Sequence, residues 1–157
     1  MKKNIEVINS AEVIHVPRFH KSLGFNTTTK YSKILSKIKK TNSKAEIKLR
    51  KALWNCGIRY RLNCKNIFGK PDIVLRKHRL VIFVDGDFWH GYNWHLRKPK
   101  MKTNSEYWVP KIERNMQRDI EVNQKLKIEG WRIFRFWEHD IHGNLDSCVA
   151  VILNALQ

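Results

Sequence analysis

The sequence predicts a mixed α/β protein in which a small sheet is layered with helices, and three observations carry that expectation. Apolar residues recur with helical spacing around 44–55, two apolar strand-like runs follow each other closely at 71–75 and 79–85, and an aromatic strand at 131–137 leads into an amphipathic segment at 145–156. Read in order, the chain gives a helix, three strands, a helix, a strand and a helix, with no internal repeat.

Residues 1–28 show no sustained periodicity and contain Pro17, Gly24 and a polar run from Asn26, so they read as an N-terminal arm ahead of a domain spanning 29–157. From Tyr31 to Lys40 the chain is basic and compatible with a helix. Thr41-Asn42-Ser43 then offers N-cap chemistry, and Ala45, Leu49, Ala52, Leu53 and Cys56 follow at i, i+4, i+7, i+8 and i+11. That spacing lines one helical face over Lys44 to Asn55, with Gly57 as its stop. "IRYRL" (58–62) alternates like a strand, and "PDIVL" (71–75) with "RLVIFVD" (79–85) form an expected hairpin turning near Lys77 and His78. Residues 86–108 read as a long aromatic and basic connection, a length that usually marks a binding loop. A helix is expected from Lys111 to Glu129, then the strand "WRIFRFW" (131–137) and a last helix over 145–156.

The chain has 157 residues, the size of one domain with a core, and its 42% hydrophobic content argues against a wholly disordered protein. Lys and Arg number 31 against 14 Asp and Glu, a formal charge of +17 that points to a polyanionic partner, DNA or RNA. No apolar run approaches the roughly 18 residues of a membrane span, and no secretory h-region follows the start, so a soluble, cytoplasmic protein without a membrane partner is expected. Cys56, Cys64 and Cys148 show no paired spacing and read as buried free thiols.

The chemistry candidates cluster around "VIFVDGDFWH" (81–90). Asp72 opens one strand and Asp85 ends the next, a pairing that suits the oxygen-rich shell of a hard divalent cation and the skeleton of metal-dependent nucleases, although Asp72 could equally cap a turn after Pro71. Asp85 and Asp87 share a face with Val81 and Phe83, so they need a cation or a basic partner. His90 can move a proton near neutral pH. A zinc site from His90, His95, His139 and His142 matches no strong ligand spacing. Glu46 and Asp119 border the apolar faces of their helices and require partners, for which Arg50 and Arg118 are the local choices. Phe88, Trp89, Tyr92, Trp94, Tyr107 and Trp108 crowd near Arg97, Lys98, Lys100 and Lys102, as expected of apolar wedges flanked by phosphate-binding cations. Trp131, Phe134 and Trp137 fit a core better.

In this order, "SKAEIKLRKAL", "GKPDIV", "VIFVDGDFWH", "EYWVPKIERNMQRD" and "GWRIFRFWEHD" resemble the very short patch repair (Vsr) DNA mismatch endonucleases, relatives of the restriction-type PD-(D/E)xK nucleases. The resemblance runs from about Tyr31 to the C-terminus. It implies a restriction-endonuclease-like three-layer core, with a central mixed sheet flanked by helices. It also implies Mg²⁺-dependent nicking of duplex DNA at T·G mismatches in a bacterial or archaeal cell, by a monomer that works alongside mismatch-repair proteins.

By the same resemblance Asp72 is the metal-binding aspartate, joined by the Val84 carbonyl, while Asp85, an acid where the family has a histidine, either binds the metal directly or leaves proton transfer to His90 alone. His90 is the catalytic histidine, Glu46 and Asp119 are supporting acids, and Phe88, Trp89 and Trp108 are the intercalating aromatics, with Tyr107 and the cations of 97–102 beside them. The pattern departs from the family in two places. Val84-Asp85 stands where the best-known members have Thr-His. The family's structural zinc positions fall on Asp87, Tyr92, Trp94 and His139, so no structural zinc is expected. Two rival readings are a sequence-specific restriction or nicking endonuclease indifferent to mismatches, and a non-catalytic DNA-binding module.

Overall fold

A computed structural model describes residues 41–157. The arm expected over 1–28 and the basic helix expected over 31–40 lie outside the described residues. Helix α1 spans Lys44–Asn55 and begins with a capping box. The Glu46 backbone N–H donates to Ser43 Oγ (3.1 Å), while the Ser43 N–H donates to Glu46 Oε1 (3.2 Å). Two otherwise orphaned donors are thus satisfied at the helix start. Gly57, at φ +79, takes the left-handed turn that ends the helix.

Strand β1 (Ile73–Leu75) and strand β2 (Leu80–Asp85) form the expected hairpin, with Ile73 opposite Ile82 and Leu75 opposite Leu80. Their connection is one 3-10 turn over Arg76–His78, released by Arg79 at φ 50. Strand β3 (Arg132–Trp137) pairs with the other edge of β2 in parallel, which makes β2 central in a three-stranded mixed sheet of order β1-β2-β3. The strand expected at 58–62 reduces to one antiparallel bridge between Arg61 and Val74. β1 is only three residues long, and Asn63 at φ 50 turns the chain away before a second pair can form.

The connection after β2 is more ordered than its composition implied. It contains the short helix α2 (Trp94–Arg97) and a 3-10 turn over Lys98–Lys100. Helix α3 then runs over Ser105–Ile128, six residues earlier than the expected start at Lys111. Pro110 lies inside this helix. There it removes one backbone donor, and the burial of Tyr107 in the preceding turn holds that part of the helix in place. After β3 come α4 (Glu138–Gly143), which the sequence reading did not anticipate, and α5 (Leu145–Asn154).

Strand alternation divides the core. Ile73, Leu75, Leu80, Ile82 and Phe136 pack with Ala45, Leu49 and Leu53 of α1 and with Ile141, Cys148, Val149 and Ile152 of α4 and α5. Val74, Val81 and Phe83 instead pack with Val122 and Leu126 of α3 and with Cys64 and Ile67. Cys64 and Cys148 are buried free thiols as expected, whereas Cys56, one residue past α1, is exposed. No helix among the described residues is long and apolar enough to cross a membrane.

Ile82 is fully buried in the central strand. Ile82→Ala is expected to lower the unfolding free energy by about 2–5 kcal/mol, the range for a large-to-small core truncation, as measured by urea denaturation.

Candidate active site

At the C-terminal end of β2 the alternation that builds the core also aims the site. Asp85 follows Val81 and Phe83 on the α3 side of the sheet, and it is only 5% exposed. A lone buried carboxylate is costly. Here Arg135 of β3 meets it with two prongs, Nε donating to Oδ2 (2.6 Å) and Nη2 to Oδ1 (2.8 Å). The same Nη2 lies 2.8 Å from Asp119 Oδ1 on α3, and Nη1 donates to Asn123 Oδ1 at 3.1 Å. The local partner suggested for Asp119, Arg118, is therefore replaced by a residue 16 positions further along the chain. Arg135 was missed in the sequence, although its spacing in "WRIFRFW" puts it on one face with Ile133 and Trp137, where a lone charge signals a buried counter-ion.

Asp119 also holds His90. Its Oδ2 lies 2.6 Å from His90 Nδ1, and Asp85 Oδ1 lies 3.5 Å from the same nitrogen. Burial works against a charged imidazole, but the Asp119 hydrogen bond and the charges of Asp85 and Asp119 outweigh it, and the pKa of His90 rises above its ordinary 6.5. With Nδ1 committed to Asp119, proton exchange with a substrate falls to Nε2.

Asp72 lies just ahead of β1. Its backbone N–H donates to the Ile82 carbonyl (3.1 Å), and its Oδ2 accepts from the Val84 N–H (2.7 Å). Burial pushes its pKa up to about 6, the Val84 hydrogen bond opposes that rise, and the negative charges of Glu46 and Asp85 add to it. Burial and neighbouring acids both disfavour its charged form, and a bound cation favours it. Glu46 is buried and already engaged: besides closing the capping box it accepts from the Asn42 N–H (2.8 Å) and lies 3.5 Å from Arg50 Nη2, so Arg50 is its partner.

Among the described residues, Asp85, His90 and Asp119 form a group whose ligand atoms lie within 4.8 Å of one another and could hold a metal ion. A cation there competes with Arg135 for three carboxylate oxygens and would take a nitrogen donor that Mg²⁺ accepts poorly. Asp72 and the Val84 carbonyl expected beside it offer the oxygen donors that suit Mg²⁺ better.

The aromatic side chains form a wall next to His90. Phe88, Trp89 and Trp108 meet edge to face in a triangle with ring centroids 5.2, 5.4 and 5.7 Å apart. Phe88 is the most open of the three, at 37% exposure. Tyr107, expected among the DNA-facing aromatics, is buried and packs edge-on against Trp108 (4.9 Å), so it backs the wall from behind. Arg97, Lys98, Lys100 and Lys102 are exposed. Lys98 is paired with Glu113 (2.6 Å), and Arg97 donates to the Asp87 carbonyl (3.1 Å). Asp87, Tyr92, Trp94 and His139 also have defined contacts. Asp87 Oδ1 is 2.7 Å from His139 Nδ1, and the Tyr92 ring lies 4.3 Å from the His139 ring. The Trp94 indole N–H donates to Glu113.

A family model described as DNA mismatch endonuclease Vsr matches residues 24–96. The type II nicking enzyme V.NmeDIP of Neisseria meningitidis serogroup C is 44% identical over 131 residues, covering 83% of this chain and 88% of the relative. The type II nicking enzyme V.HpaIIP of Haemophilus parainfluenzae is 48% identical over 118 residues, covering 75% and 84%. The DNA mismatch endonuclease Vsr of Escherichia coli K12 is 33% identical over 112 residues, 71% of each chain. The chain belongs to the Vsr family of DNA endonucleases. The motifs through "VIFVDGDFWH" lie inside the span of that match.

Two substitutions probe this Vsr-type site in the metal-free protein. The folded protein holds the Asp72 proton up to about pH 6, whereas the unfolded chain releases it near 3.8. Raising the pH through that window therefore disfavours the folded state, and the penalty is complete above it. Asp72→Asn keeps an acceptor for the Val84 N–H and is expected to stabilise the protein at pH 8 in EDTA by on the order of 1–3 kcal/mol, an advantage that fades below about pH 4 in a thermal-melt pH series. Gly91 sits at φ +72, and a Cβ there would come within 2.5 Å of Met116 Sδ. Gly91→Ala is expected to cost about 1–3 kcal/mol by denaturant unfolding, because it combines a left-handed conformation with that clash.

Proposed function

We propose that this Vsr-family protein is a Mg²⁺-dependent endonuclease that nicks one strand of duplex DNA at T·G mismatches, on a restriction-endonuclease-like three-layer core, acting as a monomer. The observation that carries the reading is the placement, at one end of β2, of a carboxylate whose pKa is raised by burial and by neighbouring acids (Asp72) and of a histidine held by a carboxylate (His90 and Asp119). One group suits a divalent cation and the other moves a proton, and phosphodiester hydrolysis requires both.

Asp72 and the Val84 carbonyl would hold Mg²⁺, with Asp85 adding its negative charge beside them. When bound, that ion would polarise the attacking water and neutralise charge developing on the phosphate. The water oxygen bonds to phosphorus as the P–O bond to the leaving sugar oxygen breaks, and the water gives up its own proton to bulk solvent. His90 has a raised pKa, which makes it the proton source, and Nε2 delivers the proton to that leaving oxygen. Asp119 fixes the ring, and Glu46 supports the start of α1 next to Asp72. Phe88, Trp89 and Trp108 would enter the base stack where a mismatch makes unstacking cheapest, and Arg97, Lys98, Lys100 and Lys102 would engage phosphates on either side.

A second reading is favoured by the names of two relatives that are more similar to this chain than the mismatch endonuclease is: both are called type II nicking enzymes. In that reading the protein nicks a defined sequence whether or not it is mismatched. Nicking of paired duplexes that differ only by T·G against C·G, with Mg²⁺ or with EDTA, separates the two. The mismatch reading expects Mg²⁺-dependent nicking of the T·G duplex alone, and equal rates on both duplexes would replace it with the second reading. Asp72→Ala is expected to reduce nicking by more than about 100-fold, and an unchanged rate would remove Asp72 from the metal site.

A further inference from the structure

Arg135 stands out among the groups that the endonuclease reading leaves without a role. Its side chain is 12% exposed, and it lies opposite Phe83 in the parallel register of β2 and β3. Its Cζ rests 4.6 Å from the centroid of the Phe83 ring. The guanidinium plane is thereby packed against a rigid strand residue, while its nitrogens reach Asp85, Asp119 and Asn123.

The contacts show what this grip does. Asp85 comes from the end of β2 and Asp119 from the middle of α3, yet both approach the same nitrogen of His90. Two carboxylates drawn onto one imidazole repel each other unless a cation lies between them. Arg135 is that cation, and its planar fork lets one side chain hold both acids in fixed relative positions. Lysine could neutralise one of them but could not bridge the two with matched geometry.

We propose that Arg135 is the positioning residue for His90: it locks Asp85 and Asp119 so that Asp119 holds the His90 ring with Nδ1 inward and Nε2 turned to the leaving oxygen. The role rests on the endonuclease reading for its chemistry, although the clamp itself is a statement about ring orientation. Asp85, in this account, serves the reaction as the second jaw of the clamp.

The test pairs kinetics with a signal from the ring itself. In ¹⁵N-labelled wild-type protein, the His90 Nδ1 proton is expected as a downfield resonance shielded from exchange by its bond to Asp119. Arg135→Met is expected to lose that resonance and to reduce kcat for nicking by about 100-fold, with KM for DNA changed by less than about threefold. Arg135→Lys is expected to recover part of the kcat and part of the resonance. Removing one side of a buried ion pair can prevent folding, whereas removing both is tolerated better. The double variant Asp85→Asn/Arg135→Met is therefore read in the same two assays, with the same loss of resonance and of kcat expected. A folded Arg135 variant that keeps the resonance and the wild-type kcat overturns the proposal, as does a variant that changes KM alone. A wild-type protein that shows the resonance, and loses it in the Arg135 variants, but nicks no duplex refutes the endonuclease reading and leaves the clamp standing.

Discussion

Strand β2 is hydrogen-bonded along both edges, antiparallel to β1 and parallel to β3, and this double pairing decides which side chains face which helices. Leu80 and Ile82 go to the cluster of α1, α4 and α5, and Val81 and Phe83 go to the cluster of α3. With a side-chain period of two, a one-residue slip would exchange the two sets. Asp85 lies on the same alternation as Val81 and Phe83, so the register that fills the core also delivers the carboxylate to Arg135 and His90. Asp72 obeys the same constraint, because its N–H and its Oδ2 are both bonded to the backbone of β2, at Ile82 and Val84. Core packing and site geometry are thus one decision made on one strand.

The electrostatics of the site run against those of the whole chain. A net charge of +17 favours a polyanionic partner, yet Glu46, Asp72, Asp85 and Asp119 gather near the end of β2. Three of them are compensated within the protein: Glu46 by Arg50 and by backbone N–H groups, and Asp85 and Asp119 by Arg135. Asp72 has one backbone hydrogen bond, which opposes but does not cancel the rise in its pKa that burial chiefly causes and that the charges of Glu46 and Asp85 add to. The uneven compensation distinguishes an acid built for structure from one that still lacks charge. It is a more selective criterion than the presence of an acid beside a strand, which many chains offer.

Local chemistry was legible in the sequence wherever it alone sets the structure. The capping signal at Ser43, the apolar face of α1, the hairpin around Lys77 and the strand over 132–137 all appear where their residues implied. What escaped depended on tertiary context. "IRYRL" alternates correctly, but a partner strand of three residues supports only the bridge at Arg61. α3 starts ahead of Pro110 because burial of Tyr107 outweighs one missing backbone donor. Arg118 is the arginine adjacent to Asp119 in sequence, whereas Arg135 reaches it across the β2–β3 register, and no local pattern states which strands will be neighbours.

The aromatic wall and His90 are coupled by the shortness of the segment between them. Phe88 and Trp89 immediately precede His90, and the turn closes with the His90 N–H donating to the Gly86 carbonyl (3.1 Å). α3 pins this turn from one side at three points. Asn115 Nδ2 donates to the Trp89 carbonyl (3.0 Å), Met116 packs against Gly91, and Asp119 takes the His90 ring. Trp108, the third member of the wall, stands on the same helix. A displacement of Phe88 or Trp89 along a base stack would therefore have to move His90 or be resisted by α3. Because three contacts to one helix oppose it, resistance is the favoured outcome, and the wall behaves as a rigid wedge of fixed height above the histidine. In the proposed reaction such a wedge would relate two distances on the substrate, from the opened base step to the scissile phosphate, and the turn at 86–91 together with α3 would fix that relation.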